Sequence, residues 1–152
     1  MNTKSIDLTN MSEDGEYAIA FAARKITGVL DVGHAFIVWY ELTNTGKRYV
    51  HRASGFYPSD GKLKLVVADS GELIDDSETD IDKQLIVKIS SPSFQRALGV
   101  EAHYASGSWV LGINDCVTFI QKVGEEITGL SLPARIDGIT PGAYISGLWD
   151  SN

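Results

Sequence analysis

Apolar residues recur along the chain in two rhythms, every second position in the first half and every third or fourth in the second. Residues 16–27 carry Tyr17, Ile19 and Phe21 in strict alternation, which predicts a strand. Residues 34–42, HAFIVWYEL, are rich in β-branched and aromatic side chains and give the clearest strand of the chain. Thr43-Asn44-Thr45-Gly46 is turn chemistry, so residues 47–54 are expected to return as the partner of a hairpin. Gly55-Phe56-Tyr57-Pro58 reads as a break in the sheet and Ser59-Asp60-Gly61 as another turn. Short strands are expected at 63–68 and 83–89. Between them, residues 70–82 carry Glu72, Asp75, Asp76, Glu78, Asp80 and Asp82 and read as an exposed acidic loop. Residues 1–15 are polar and read as a loose lead-in, and residues 28–33, with Asp31, as a connector.

Helical signals follow. Ser91 as cap and Pro92 in the first turn open a helix expected to reach about His103. Residues 106–112, a glycine-bearing link, contain Trp109. Asn114 can cap a second helix, in which Cys116, Ile120, Val123 and Ile127 fall on one face before Gly129 stops it. Pro133 and Gly138 mark irregular chain, and residues 141–148 have room for a last short helix. Strands first and helices after, with no linker or repeat, predict one α+β domain over residues 1–152: a mostly antiparallel sheet with the Cys116 helix packed on it.

Bulk properties narrow the chemistry. A chain of 152 residues can bury a core of its own. A net charge of −7 and the lack of any basic run argue against a nucleic-acid partner held through phosphates. Residues 1–15 lack the apolar core of a secretory signal, and no apolar run is long enough to span a bilayer, so synthesis in the cytoplasm is expected, with signal-independent export or delivery to another cell left open. One cysteine excludes an internal disulfide and a cysteine-rich zinc site. The acidic run lacks the spacing of a calcium loop, so neither a metal nor a cofactor is expected.

The lone cysteine is the candidate nucleophile. At the start of a helix, unpaired N–H groups and the helix dipole favour its thiolate, whereas a buried structural thiol is the plain alternative. A nucleophilic thiol needs a base, and the chain offers His34, His51 and His103. His103 falls at a helix end, where a surface role is expected. His34 opens the strongest strand, behind Gly33, at a position a cleft can reach. If Leu42 pairs with Lys47, His34 lies opposite Gly55 and His51 pairs with Val38, more than about 10 Å along the strand from His34. Ser54 and the Gly55 carbonyl then come closer. Ser54 and His51 are both kept as possible orienting groups, and a simple Cys–His dyad stays open. Asp115, beside the thiol, opposes its ionisation unless it points away or caps the helix. Trp109 is placed at a cleft wall, and Trp39 and Trp149 in packing roles.

Asn114-Asp115-Cys116-Val117-Thr118-Phe119-Ile120 resembles the cysteine-bearing helix start of the NlpC-type papain-like hydrolases, and Gly33-His34-Ala35-Phe36-Ile37 resembles their glycine–histidine strand. Histidine before cysteine is the order of the circularly permuted branch, which includes relatives of lecithin:retinol acyltransferase. Gly55-Phe56-Tyr57-Pro58 and the Gly71 to Asp75-Asp76 stretch also resemble a pattern between these two motifs in bacterial members. The resemblance spans roughly residues 33–133. It implies Cys116 as nucleophile, His34 as general base and then acid, and the Cys116 N–H in an oxyanion hole, with Asn114, Asp115 and Trp109 around the cleft; it leaves the third group open. It further implies amide hydrolysis, with peptidoglycan stem peptides as substrate, and the setting of a delivered toxin held in check by an immunity protein. Acyl transfer or deamidation on a lipid or protein, and a non-catalytic interaction module, are the alternatives.

Overall fold

The computed structural model describes residues 1–9, 17–26, 33–42, 48–58, 68–104, 107–110, 114–135 and 139–152, with the backbone alone at 42, 48–51, 58, 68–70 and 107–110. Among these residues run seven strands and three helices: β1 (Asn2–Asp7), β2 (Tyr17–Arg24), β3 (Ala35–Leu42), β4 (Arg48–Pro58), β5 (Ala68–Asp75), β6 (Ile81–Ile89), α1 (Ser91–Tyr104), β7 (Gly107–Val110), α2 (Cys116–Glu125) and α3 (Pro141–Ser151). The strands form one sheet in the order β1-β6-β2-β3-β4-β5-β7, antiparallel except where β1 joins β6. The domain is thus α+β with a mostly antiparallel sheet, as the order of patterns predicts.

The helices occupy one face of that sheet. Ile19, Phe21, Ile37, Trp39, Phe56, Leu85 and Val87 point toward them and pack with Phe94, Ala97, Phe119, Ile120, Val123, Tyr144 and Leu148 in one core. The other face of the central strands is buried too, through Ala18, Ala20, Ala22, Phe36, Val38, Ala53 and Ile86. Burial on both faces makes β2 and β3 near-continuous apolar runs. The alternation of Tyr17, Ile19 and Phe21 is therefore large against small, not buried against exposed.

Four expected elements are corrected. Residues 2–7 are not a loose lead-in: they add β1 along β6, with Ile6 against the core. Gly55-Phe56-Tyr57-Pro58 does not break the sheet but continues β4, and pairs with Leu73, Glu72 and their neighbours in β5. Most of the supposed acidic loop is β5 and the start of β6, with Asp76 buried at their junction. Phe56 explains how Gly71 survives in that strand, since its ring fills the place a Cβ on Gly71 would take. Residues 107–110 of the supposed link are β7, paired to β5. The turns at 43–46 and 59–61, the connector at 28–32 and most of the strand expected at 63–68 lie outside the described residues. No helix among the described residues is long and apolar enough to cross a membrane.

Candidate functional site

Gly33, with φ of +82°, turns the chain into β3, and the His34 carbonyl accepts the Arg24 N–H, so His34 stands at the mouth of the strand as expected. Its surroundings depend on a slip in the β3–β4 ladder. Tyr40 pairs with Val50 but Trp39 pairs with Arg52, which makes His51 the extra residue of a bulge. Leu42 pairs with Arg48 and not with Lys47, and the bulge adds a second residue, so Val38 faces Ala53, Ile37 faces Ser54 and the expected pairing of His51 with Val38 is overturned. The ring that meets the imidazole is that of Tyr57, stacked at 3.9 Å between centroids. The side chains of His51 and Trp109 lie outside the described residues.

The group that holds His34 is Asp76. His34 Nε2 lies 3.1 Å from Asp76 Oδ2, and both side chains are buried. The Tyr57 hydroxyl donates to Asp76 Oδ1 at 2.6 Å and the Thr79 hydroxyl to the same oxygen at 2.7 Å. Burial pushes the Asp76 carboxyl up. The hydrogen bond and charge of His34, then the Tyr57 and Thr79 hydroxyls, more than offset this and leave it below its ordinary value. Burial, with the Asp76 charge beside it, in turn keeps the Tyr57 phenol neutral. Gly55 makes the meeting possible, because a Cβ there would overlap Asp76 Oδ2 and His34 Nε2. Ser54, considered above as the orienting group, is engaged elsewhere: it accepts from Trp39 Nε1 at 2.9 Å and donates to Glu101 at 2.7 Å. Nothing in the sequence singles Asp76 out of its acidic run except the resemblance of the Gly71 to Asp76 stretch.

Cys116 is the first residue of α2. The cap is Asp115, not Asn114: Asp115 accepts from the Val117 and Thr118 N–H groups, and Thr118 Oγ1 accepts the Asp115 N–H in return. Arg135 grips this cap with two nitrogens, Nη1 to Oδ1 and Nη2 to Oδ2, each at 2.7 Å, and Nη1 also donates to Thr118 Oγ1. The helix buries Val117, Phe119, Ile120 and Val123 and ends at Glu125, short of the expected Thr128.

The thiol is buried, 6% exposed, on the helix side of the sheet. It packs in the same core as Ala35, the first residue of β3. The sulfur lies in the core on the helix side of the sheet with Ala35, whereas the His34 ring stacks with Phe36, a residue of the other face, and with Tyr57. The expected thiolate is corrected. Burial pushes the Cys116 thiol up to about 12 from an ordinary 9.0, and the Asp115 charge adds to it. The Ala35 N–H, the Arg135 charge and the Val117 N–H pull it back only in part. Loss of water outweighs the helix terminus, so the resting sulfur carries its proton.

Among the described residues, no group of three or more His, Cys, Asp or Glu side chains converges to hold a metal. Compared with known proteins, the chain matches no protein-family model, no curated protein and no solved structure.

Proposed function

We propose that the protein is a cysteine-dependent amide hydrolase of permuted papain-like architecture, with Cys116 as nucleophile, His34 as base and then acid, and Asp76 as the group that orients His34. One observation carries the reading: a buried carboxylate fixes the ring of His34 at the mouth of β3, the strand on which the helix of the only cysteine packs. With Nε2 engaged by Asp76, proton exchange with the sulfur runs through Nδ1. Because the resting thiol is neutral, the proton leaves as the sulfur attacks, not before.

The sulfur adds to the amide carbon while its proton passes to His34. The oxyanion that forms meets the Cys116 N–H, which is not among the two amides spent on the Asp115 cap. Collapse expels the amine with the proton returned by His34. Water, deprotonated by the same ring, then cleaves the thioester to release the acid and restore the thiol. The family resemblance points to peptide amides of cell-wall type as the substrate class; an acyl acceptor in place of water turns the same steps into acyl transfer.

Incubation with peptidoglycan fragments, read by mass spectrometry, should release new peptide ends with the wild type and none with Cys116→Ala or His34→Ala. Absence of any product from wild type discards wall hydrolysis. A second reading, a non-catalytic module with an inert thiol, draws on the burial and high pKa of Cys116. It predicts that Cys116→Ala leaves every activity and binding property unchanged.

A further inference from the structure

The chain spends seven residues bringing one cation back to the start of the cysteine helix. After α2, Gly129 turns with φ of +90°, and Leu130 and Leu132 run back over Gly124, where a Cβ would strike Leu132. Asn152 brackets the same segment, its side chain accepting the Ser131 N–H and donating to the Ser131 carbonyl, each at 2.8 Å. Pro133 lies against Gly147 of α3. This pinned segment ends on Arg135, whose paired hydrogen bonds to Asp115 are the strong bidentate kind.

We propose that Arg135 is a positioning residue for Cys116: it seats the Asp115 cap and cancels the carboxylate charge that stands beside the sulfur. Asp115 alone serves α2 well as a cap but opposes ionisation of the residue it precedes, and Arg135 reconciles the two roles. Among the described residues, charged and titratable groups reach the surroundings of the thiol from several elements. Asp115 comes from the N-terminus of α2 and Arg135 from the return segment; His34, Tyr57 and Asp76 come from β3, β4 and the turn after β5. Farther out, Arg24 of β2 bears on Tyr57, Asp115 and Glu125 bear on Tyr104 of α1, and Glu125 and Arg135 bear on Tyr144 of α3. Of these, Asp115 adjoins Cys116 in sequence and caps its helix, and Arg135 is the cation paired to it. The inference deepens the hydrolase reading, yet it concerns thiol reactivity and is tested without a substrate.

The test is the rate of Cys116 alkylation by iodoacetamide at about pH 8, with circular dichroism to verify folding. Arg135→Gln uncovers the Asp115 charge and should slow alkylation about tenfold. Arg135→Lys, which keeps the charge, and the double variant Asp115→Asn/Arg135→Gln, which removes both charges, should each return to within about threefold of wild type. A purely structural clamp gives the opposite pattern, since loosening the cap exposes the sulfur and speeds labelling. Arg135→Gln as fast as wild type or faster overturns the proposal, and so does a double variant as slow as Arg135→Gln. If Arg135→Gln fails to fold, Asp115→Asn labelled with neutral iodoacetamide and with anionic iodoacetate decides: an unopposed Arg135 charge should speed the anionic reagent several-fold more than the neutral one, whereas a merely loosened cap speeds both alike and overturns the assignment. Peptidoglycan left intact by wild type sinks the wall-hydrolase reading and leaves this pattern standing, whereas an active enzyme with a flat pattern sinks the role of Arg135 alone.

Discussion

Position 55 is glycine because two buried polar atoms need the volume a side chain would fill. Gly55→Ala must push apart Asp76 and His34, so an overpacking cost of about 1–3 kcal/mol is expected in urea denaturation, with any hydrolase activity lost at the same time. Asp76 is the more costly position. It accepts from Tyr57 and Thr79 and pairs with His34 while almost wholly excluded from water. Asp76→Ala therefore strands three polar partners and should cost about 3–5 kcal/mol, against about 1.5–3 kcal/mol for Tyr57→Phe, which removes one hydrogen bond to a charged acceptor. Equal losses in the two variants would mean that the carboxylate matters only through Tyr57, and the orienting role given to it would fall. Neither residue is visible as a partner of His34 in the sequence. The bulge at His51 that shifts β4 leaves no trace in composition, and a one-residue slip in a ladder changes every neighbour beyond it.

At the scale of elements, α2 binds the sheet through an apolar stripe and holds its start through one carboxylate. Ile120→Ala leaves a cavity in the core and should cost about 2–5 kcal/mol. Asp115→Ala removes a cap worth about 1 kcal/mol and also leaves Arg135 half-buried without its carboxylate, so its loss should exceed that of an ordinary cap. Thermal melts of both variants check the order, and a loss from Asp115→Ala below about 0.5 kcal/mol would show that the clamp contributes nothing to stability. What the sequence made readable follows the same division. The three helices and the strands β2, β3 and β6 bury large side chains at regular spacing, so their periodicity survives translation into structure. The strands it hid are of another kind. β1 exposes most of its residues and owes its place to pairing with β6, and β5 carries Gly71 and three acidic residues where a strand pattern expects bulky ones. Their stability comes from neighbours far away in the chain, which local patterning does not record. Arg135 was equally silent, a single cation in irregular chain whose partner lies twenty positions upstream.

For the molecule as a whole, the buried site sets limits on stability at both ends of the pH scale. Asp76 sits below its ordinary 3.8 in the folded protein. Its contribution is therefore complete above about pH 4 and is lost as pH falls through the folded value. Cys116 works in the opposite direction. Its folded value, about 12, lies above the 9.0 of an exposed thiol, so the folded state is favoured below pH 9 and loses that advantage as pH rises toward 12. Tyr144, raised from 10.0 to about 12 by burial, adds to the same alkaline limb, and Tyr57 and Tyr104 shift in the same direction. Unfolding free energy should thus fall above pH 9. Each group then contributes up to about 1.4 kcal/mol per pH unit while it is ionised only in the unfolded chain. Cys116→Ala lowers the whole curve through lost packing, but it should also flatten the first part of the alkaline limb, between about pH 9 and 10, where the unfolded thiol is already mostly ionised and the unfolded tyrosines only begin to ionise. Urea midpoints measured for wild type and variant across that interval separate the two effects, since packing shifts the curve and titration changes its slope. Parallel curves would show that the thiol ionises as easily inside the protein as outside it. The barrier to reactivity would then be steric access to the sulfur and not the cost of ionising it.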